Sequence, residues 1–197
     1  GKAGVKNFNG YELLKSLGIP VTKTMPSLVR LTTEDKVTKS LKGIRAAVNL
    51  TLKIDGKIVT KEKGELLFSD NVLSGIAAMQ LSSFVTRHFA EKSTKPLVDV
   101  DFAPDFSYDE LFEEIKLICK NCKETESENI LSAFMPKKIG MAILKKASVP
   151  FDKRAGKLTD TETEKIVSFT KRYTFEINGT KDFSDAQVTS GGADLSA

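Results

Sequence analysis

The sequence predicts an α+β fold in which antiparallel strands make a small barrel or strongly curled sheet and helices are inserted in it. Three observations carry this. Ile44 to Ile54 alternates apolar Ile44, Ala46, Val48, Leu50, Leu52 and Ile54 with mainly polar neighbours and ends on Asp55-Gly56, a two-residue hairpin signal. Gly64 to Phe84, GELLFSDNVLSGIAAMQLSSF, reads as a strand, a tight turn at Ser69-Asp70-Asn71 and the start of a helix. After Pro104, the spacings Ser107/Glu110, Thr125/Glu128 and Thr159/Glu162 are those of capping boxes.

Taken in order, Asn9-Gly10 leads into a short helix, Tyr11 to Leu17, stopped by Gly18 and Pro20. Ile19 to Thr24 alternates and reads as a strand, interrupted by Met25-Pro26-Ser27. Leu28, Val29 and Leu31 suggest the next strand, and Thr32 to Ser40 a polar loop. The hairpin at Asp55-Gly56 returns through Lys57 to Lys61, and a second turn is expected at Lys63-Gly64. Ser74-Gly75 occupies the place of an N-cap, and Leu73, Ala77, Leu81, Phe84 and His88 recur at helical spacing. KPLVDVDF at 95–102 is another alternating strand. Helices are expected from Tyr108 to Cys119, from Glu126 to Phe134, from Pro136 to Ala147, and after Thr159. Tyr173 to Ile177 is extended, Asn178-Gly179 is a hairpin signal, and Phe183 to Val188 would be the returning strand.

The chain has 197 residues, 40% hydrophobic and 28% charged, with a formal net charge of +4, so it can bury a core without staples. No run of five or more like charges occurs, and the balanced charge argues against nucleic acid. No apolar run approaches the roughly 20 residues of a membrane-spanning helix. Two cysteines do not make a disulfide framework, which points to a reducing, cytoplasmic setting. Both ends read as cuts in a longer chain.

The residues alone compose no complete active site. Cys119 and Cys122 form a CxxC at the end of a predicted helix, where the macrodipole disfavours a thiolate, and no second CxxC completes a zinc set. His88, the single histidine, reads as a structural residue rather than a triad member. Asp99 and Asp101 alternate on one strand and read as a solvated face rather than an acid pair. The helix start at Ser74-Gly75 could hold an anion or polarise a carbonyl, and Gly191-Gly192 could let backbone approach a ligand. Neither GxGxxG nor GxxxxGK[ST] occurs.

Four stretches, GYELLKSLG with MPSLVRL, LKGIRAAV, GELLFSDNVLSG and FEINGTKDFSDAQVTSGGADL, span Gly10 to Leu195. Together they resemble the large insert of bacterial FAD-dependent flavoproteins, the NAD(P)/FAD-dependent oxidoreductases of the aminoacetone oxidase family, a group that includes a dehydro-bile-acid reductase. The resemblance implies a translation-factor- and flavin-reductase-like β-barrel at 1–103 and 157–197, with a helical subdomain at 104–156. It implies a parent oxidoreductase using FAD, with NAD(P)H as reductant. The insert would dock on the parent's Rossmann FAD domain, cap the flavin and shape the pocket of a small-molecule substrate. Alone it would be inactive and bind no cofactor. By position, Asp70, Asn71, Ser74 and Gly75 would face substrate, and Thr189, Gly191 and Gly192 would lie where the chain re-enters the FAD domain. Many members carry histidine, an aromatic residue and glycine where this chain has Asp70, Asn71 and Val72, and proline where it has Ile76, so the turn chemistry differs here. No nucleic acid, membrane or metal is expected, and an exposed docking face would give weak self-association. The alternative is a stand-alone barrel module for a protein or RNA partner.

Overall fold

The computed structural model describes residues 10–194; the loop expected at 1–9 and the end at 195–197 lie outside the described residues. Helix α1 (Gly10–Ser16) leads to strand β1 (Met25–Ser27), β2 (Leu31–Thr32) and the short helix α2 (Val37–Ser40). Strands β3 (Arg45–Ile54), β4 (Lys57–Ser69) and β5 (Val72–Ser74) precede helix α3 (Ile76–Glu91) and strand β6 (Leu97–Asp101). Then come α4 (Tyr108–Asn121), a 3₁₀ segment (Ser127–Ala133), α5 (Lys137–Ala147), a second 3₁₀ turn (Ala155–Lys157) and α6 (Asp160–Lys171). Strands β7 (Tyr173–Glu176), β8 (Gly179–Thr180) and β9 (Val188–Ser190) follow.

Seven strands form one sheet in the order β7-β6-β3-β4-β5-β2-β8, and every pair is antiparallel. Its two outermost strands are joined by only Ile177 and Asn178. The Ile177 N–H donates to Pro96 O at 2.9 Å beside β6, and the Asn178 N–H donates to Thr32 O at 3.0 Å on β2. One extended run therefore pairs with both edges and closes the sheet into a barrel, which removes exposed edges. This corrects the expected Asn178-Gly179 hairpin: those residues bridge two strands instead of reversing the chain. The expected strand at Phe183 to Val188 is reduced to β9, which pairs with β1 in a separate two-stranded ribbon. The stretch at 19–24 contributes one isolated bridge, Val21 to Ala193.

The alternating β3 residues behave as their period requires: Ala46, Val48, Leu50 and Leu52 are buried with Leu66 and Phe68 of β4 and Val98 and Val100 of β6. Beta4 runs through Gly64 without a turn. A Cβ there would sit 3.3 Å from the Cβ of Ala77, so Gly64 is where α3 crosses the strand. Ala77, Leu81 and Val85 of α3 are buried, whereas Phe84 and His88 are half-buried and Leu73 belongs to β5.

Helices α4 and α6 open with complete capping boxes, Ser107 with Glu110 and Thr159 with Glu162. The third box does not form, because the segment begins as 3₁₀ with no side-chain cap. There the Ser127 and Glu128 N–H groups already donate to Lys153 O and Phe151 O, at 2.8 and 3.1 Å. Leu111 and Ile115 of α4, Ile139 and Ile143 of α5, and Ile166 and Val167 of α6 join the barrel residues in one continuous core. Rings of Phe68, Phe102, Tyr173 and Phe175 stand 5.0–6.2 Å apart where barrel and helices meet.

Candidate functional site

The strand–turn–helix at 64–84 exists, with one shift in roles. Ser74 pairs with Leu67 inside the sheet and is buried, and Gly75 is the N-cap of α3, at φ +92° with no side-chain cap. A Cβ at Gly75 would lie 2.2 Å from Glu65 O, so only glycine fits where the helix leaves the sheet. At the turn, Asn71 has φ +57° and its carbonyl accepts from the Thr33 N–H at 3.1 Å. Asp70 is exposed, its carboxylate 3.9 Å from the Lys39 ammonium. These contacts fix the turn beside α2.

The second expected group sits on the ribbon. Thr189 pairs with Pro26, and Gly192 exchanges bonds with Thr22: N–H to Oγ1 at 3.0 Å, and Thr22 N–H to O at 2.8 Å. Gly191 is held at φ +87°, where a Cβ would be 2.4 Å from Lys23 O. The ribbon lies against α3, Arg87 Nη2 donating to Ser190 Oγ at 3.5 Å. Gly75 caps the other end of that helix, about 18 Å away by helical rise. The two sets are therefore not gathered into one pocket. Gly191 is accounted for by packing within the ribbon, and the space around Gly192 is open; these residues do not by themselves form a flavin cradle.

Other residues singled out in the sequence are structurally engaged. Asp99 is buried, accepting from Thr174 Oγ1 at 2.6 Å and pairing with Lys53 at 2.6 Å; Asp101 pairs with Lys171 at 2.7 Å. They form neither a solvated face nor an acid pair, because each has its own lysine. His88 Nε2 lies 2.6 Å from Thr94 O and 3.0 Å from Thr94 Oγ1, tying the end of α3 to the next loop. Burial pushes the Cys119 thiol above its usual range, with the neighbouring Cys122 adding to it, and Cys122 is the exposed C-cap of α4. Among the described residues, no group of three or more His, Cys, Asp or Glu could hold a metal ion.

A cleft lies where no site was expected. About 660 Å³ in volume, it opens between α2 and α5. Its apolar lining comprises Val37, Met141, Ala142, Phe151 and the ring of Tyr173. Its rim carries Lys36, Lys138, Lys145 and Lys146 and a single acid, Asp35, whose Oδ1 accepts from the Val37 N–H at 3.0 Å. The Lys146 ammonium stands 3.8 Å from the Tyr173 ring centroid. Burial pulls Lys146 below the usual lysine range, against the opposing charges of Asp35 and Asp99. Burial pushes the Tyr173 hydroxyl up to about 12, with Asp35 acting in the same direction. Among the described residues, none of the four rim lysines makes an ion pair. A signal existed in the sequence: Lys138 and Lys145 are seven residues apart with Met141 between them, which places all three on one side of a helix. The partner segment at 35–40 is a hundred residues away.

Three relatives share most of this chain. A 3-dehydro-bile acid delta(4,6)-reductase of Clostridium scindens is 24% identical over 185 residues, covering 93% of this chain and 45% of the relative. Ribosomal RNA dihydrouridine synthases of Haemophilus influenzae and Escherichia coli are 28% and 25% identical over 187 and 186 residues, each covering 94% of this chain and 43% of the relative. The chain thus spans less than half the length of the curated relatives it matches. Two of the three are named for an RNA substrate, which overturns the exclusion of nucleic acid drawn from the balanced charge; net charge does not report where cations gather. No helix among the described residues is long and apolar enough to cross a membrane. Residues 25–188 match the model of the HI0933-like protein barrel and H2TH domain, and the chain belongs to that family, among whose relatives are oxidoreductases.

Proposed function

We propose that this chain is the substrate-side insert of a cytoplasmic, FAD-dependent and NAD(P)H-linked oxidoreductase, inactive alone. The observation that carries the reading is the β1–β9 ribbon. Incoming and outgoing segments run antiparallel from Val21/Ala193 to Ser27/Val188, and the Asp194 N–H donates to Pro20 O at 2.8 Å. A domain threaded into another needs its two connections side by side, and this ribbon supplies that geometry. Relatives more than twice as long leave room for a cofactor domain. Leu13 and Leu17 of the α1 region are 61% and 66% exposed, and Val188 on the ribbon 43%. These apolar residues are what a docking face at the ribbon would present.

In this reading the flavin chemistry belongs to the rest of the parent. The turn at Asp70-Asn71 and the helix start at Ser74-Gly75 face substrate, and Thr189, Gly191 and Gly192 join the cofactor domain. A flavin titration tests it. A chain lengthened at both ends should bind FAD stoichiometrically, and the 197-residue chain should not. Tight binding by the short chain, or none by the long one, overturns the reading. Light scattering at high concentration should detect weak self-association of the short chain, lost in Leu13→Ser/Leu17→Ser.

A further inference from the structure

We propose that the cleft between α2 and α5 binds a single-stranded segment of RNA, with phosphates on the lysine rim and a base against the apolar floor. This deepens the substrate-side reading and rests on it for its meaning, although the binding uses only residues of this chain. Four lysines and one carboxylate, Asp35, line the cleft, and none of the four lysines makes an ion pair among the described residues. The mouth therefore carries a net positive charge even with Asp35 and Asp99 attracting Lys146. Like charges in excess at one mouth repel each other, so the ligand that fits carries several negative charges in a row. With Asp35 offsetting one lysine, a small monoanion would still leave two positive charges at the mouth.

RNA supplies one phosphate per nucleotide and a flat apolar face for the floor of Met141 and Phe151. A duplex keeps its bases stacked and could not place one in the cleft, which selects the single strand. Lys42 follows six residues after Lys36 and is exposed, whereas Lys39 between them is paired with Asp70. The contrast with the outer barrel face is direct: Lys53 and Lys171 there are held by Asp99 and Asp101.

The experiment is fluorescence anisotropy of a labelled twelve-nucleotide oligouridylate with the 197-residue chain, from 20 to 200 mM KCl. Affinity should fall with salt on a log–log slope of about −3, as expected for four phosphate contacts on a single strand. The double variant Lys145→Gln/Lys146→Gln should lower affinity at least tenfold at 20 mM KCl and reduce the slope by about 1.4, two contacts' worth. Met141→Glu, which puts a charge on the floor, should weaken binding by a similar factor. Lys61→Gln, removing a lysine from the outer barrel face, should change it less than twofold. Circular dichroism melts establish that each variant is folded.

Equal losses for the cleft and barrel variants would overturn the proposal, since binding would then follow charge alone. No binding at 20 mM KCl would also overturn it, as would saturable binding of cholate, a small amphipathic anion, that oligouridylate fails to displace. Flavin and RNA are separate readouts. A lengthened chain that binds FAD while neither chain binds RNA refutes the cleft and spares the insert reading. RNA binding without flavin in the lengthened chain refutes the insert reading and leaves the cleft standing.

Discussion

The strand–turn–helix at 64–84 and the lysine cleft both border α2, and they are built by opposite means. The first is made by backbone: glycine at 75 against Glu65 O, a left-handed Asn71, and a helix crossing at Gly64. Its glycine constraints join residues within about a dozen positions of one another, and the turn is held to Thr33 and Lys39 from farther away. The cleft is made by side chains from distant segments, at 35–40, 138–146, 151 and 173, whose rim lysines make no ion pair among the described residues. The first arrangement is what a chain needs in order to fold. The second contributes little to folding, and unpaired cations over an apolar floor are more readily explained by a ligand.

Substitutions should separate the two regions by their cost. Gly75→Ala should cost the most, about 3 kcal/mol or more, because the new Cβ meets a carbonyl at a backbone angle that alanine rarely adopts. Urea denaturation measures it, and an unchanged midpoint would mean that the β4–α3 junction yields easily. Asp99→Ala should come next, at about 2 kcal/mol, because it leaves Lys53 half-buried without its partner and strands the Thr174 hydroxyl. A loss this large at Asp99 and a smaller one in the cleft would sharpen the distinction between held and free lysines.

Glu162 gives a smaller, pH-dependent effect. Bonds from the Lys153 ammonium and then the Thr159 N–H hold its carboxyl below the usual range of 4.5. The folded state thus takes up this proton less readily than the unfolded chain. The stability it contributes is complete above pH 4.5 and is lost as pH falls through the lower folded value. Between pH 7 and pH 3 the melting temperature of the wild type should therefore fall further than that of Glu162→Gln. Equal falls would locate the acid sensitivity elsewhere. The smallest effect is expected for Lys145→Gln/Lys146→Gln, about 1 kcal/mol or less in the same melts, most of it the contact of Lys146 with the Tyr173 ring. A larger loss would make these lysines part of the scaffold and erase the contrast.

Much of the fold was legible because its signals are local. The alternation at 44–54, the Asp55-Gly56 turn, and the capping boxes at Ser107 and Thr159 each lie within one element, where neighbouring residues decide the conformation. The signals that failed were local readings overridden from afar. Asn178-Gly179 looks like a hairpin until Pro96 and Thr32 compete for its backbone, and Gly64 looks like a turn until α3 needs room beside it. Asp99 and Asp101 looked solvated because Lys53 and Lys171 stand elsewhere in the chain.

By itself the sequence determined the α+β class, the main strands and helices, and membership of a barrel-bearing family, because periodicity, turn chemistry and motif order are written in neighbouring residues. Only the tertiary structure decided that the sheet closes through 173–180, that the incoming and outgoing segments lie side by side, and that four lysines share one cleft. Each of these depends on which distant segments meet, and that is set by packing of the whole core rather than by any stretch of the chain.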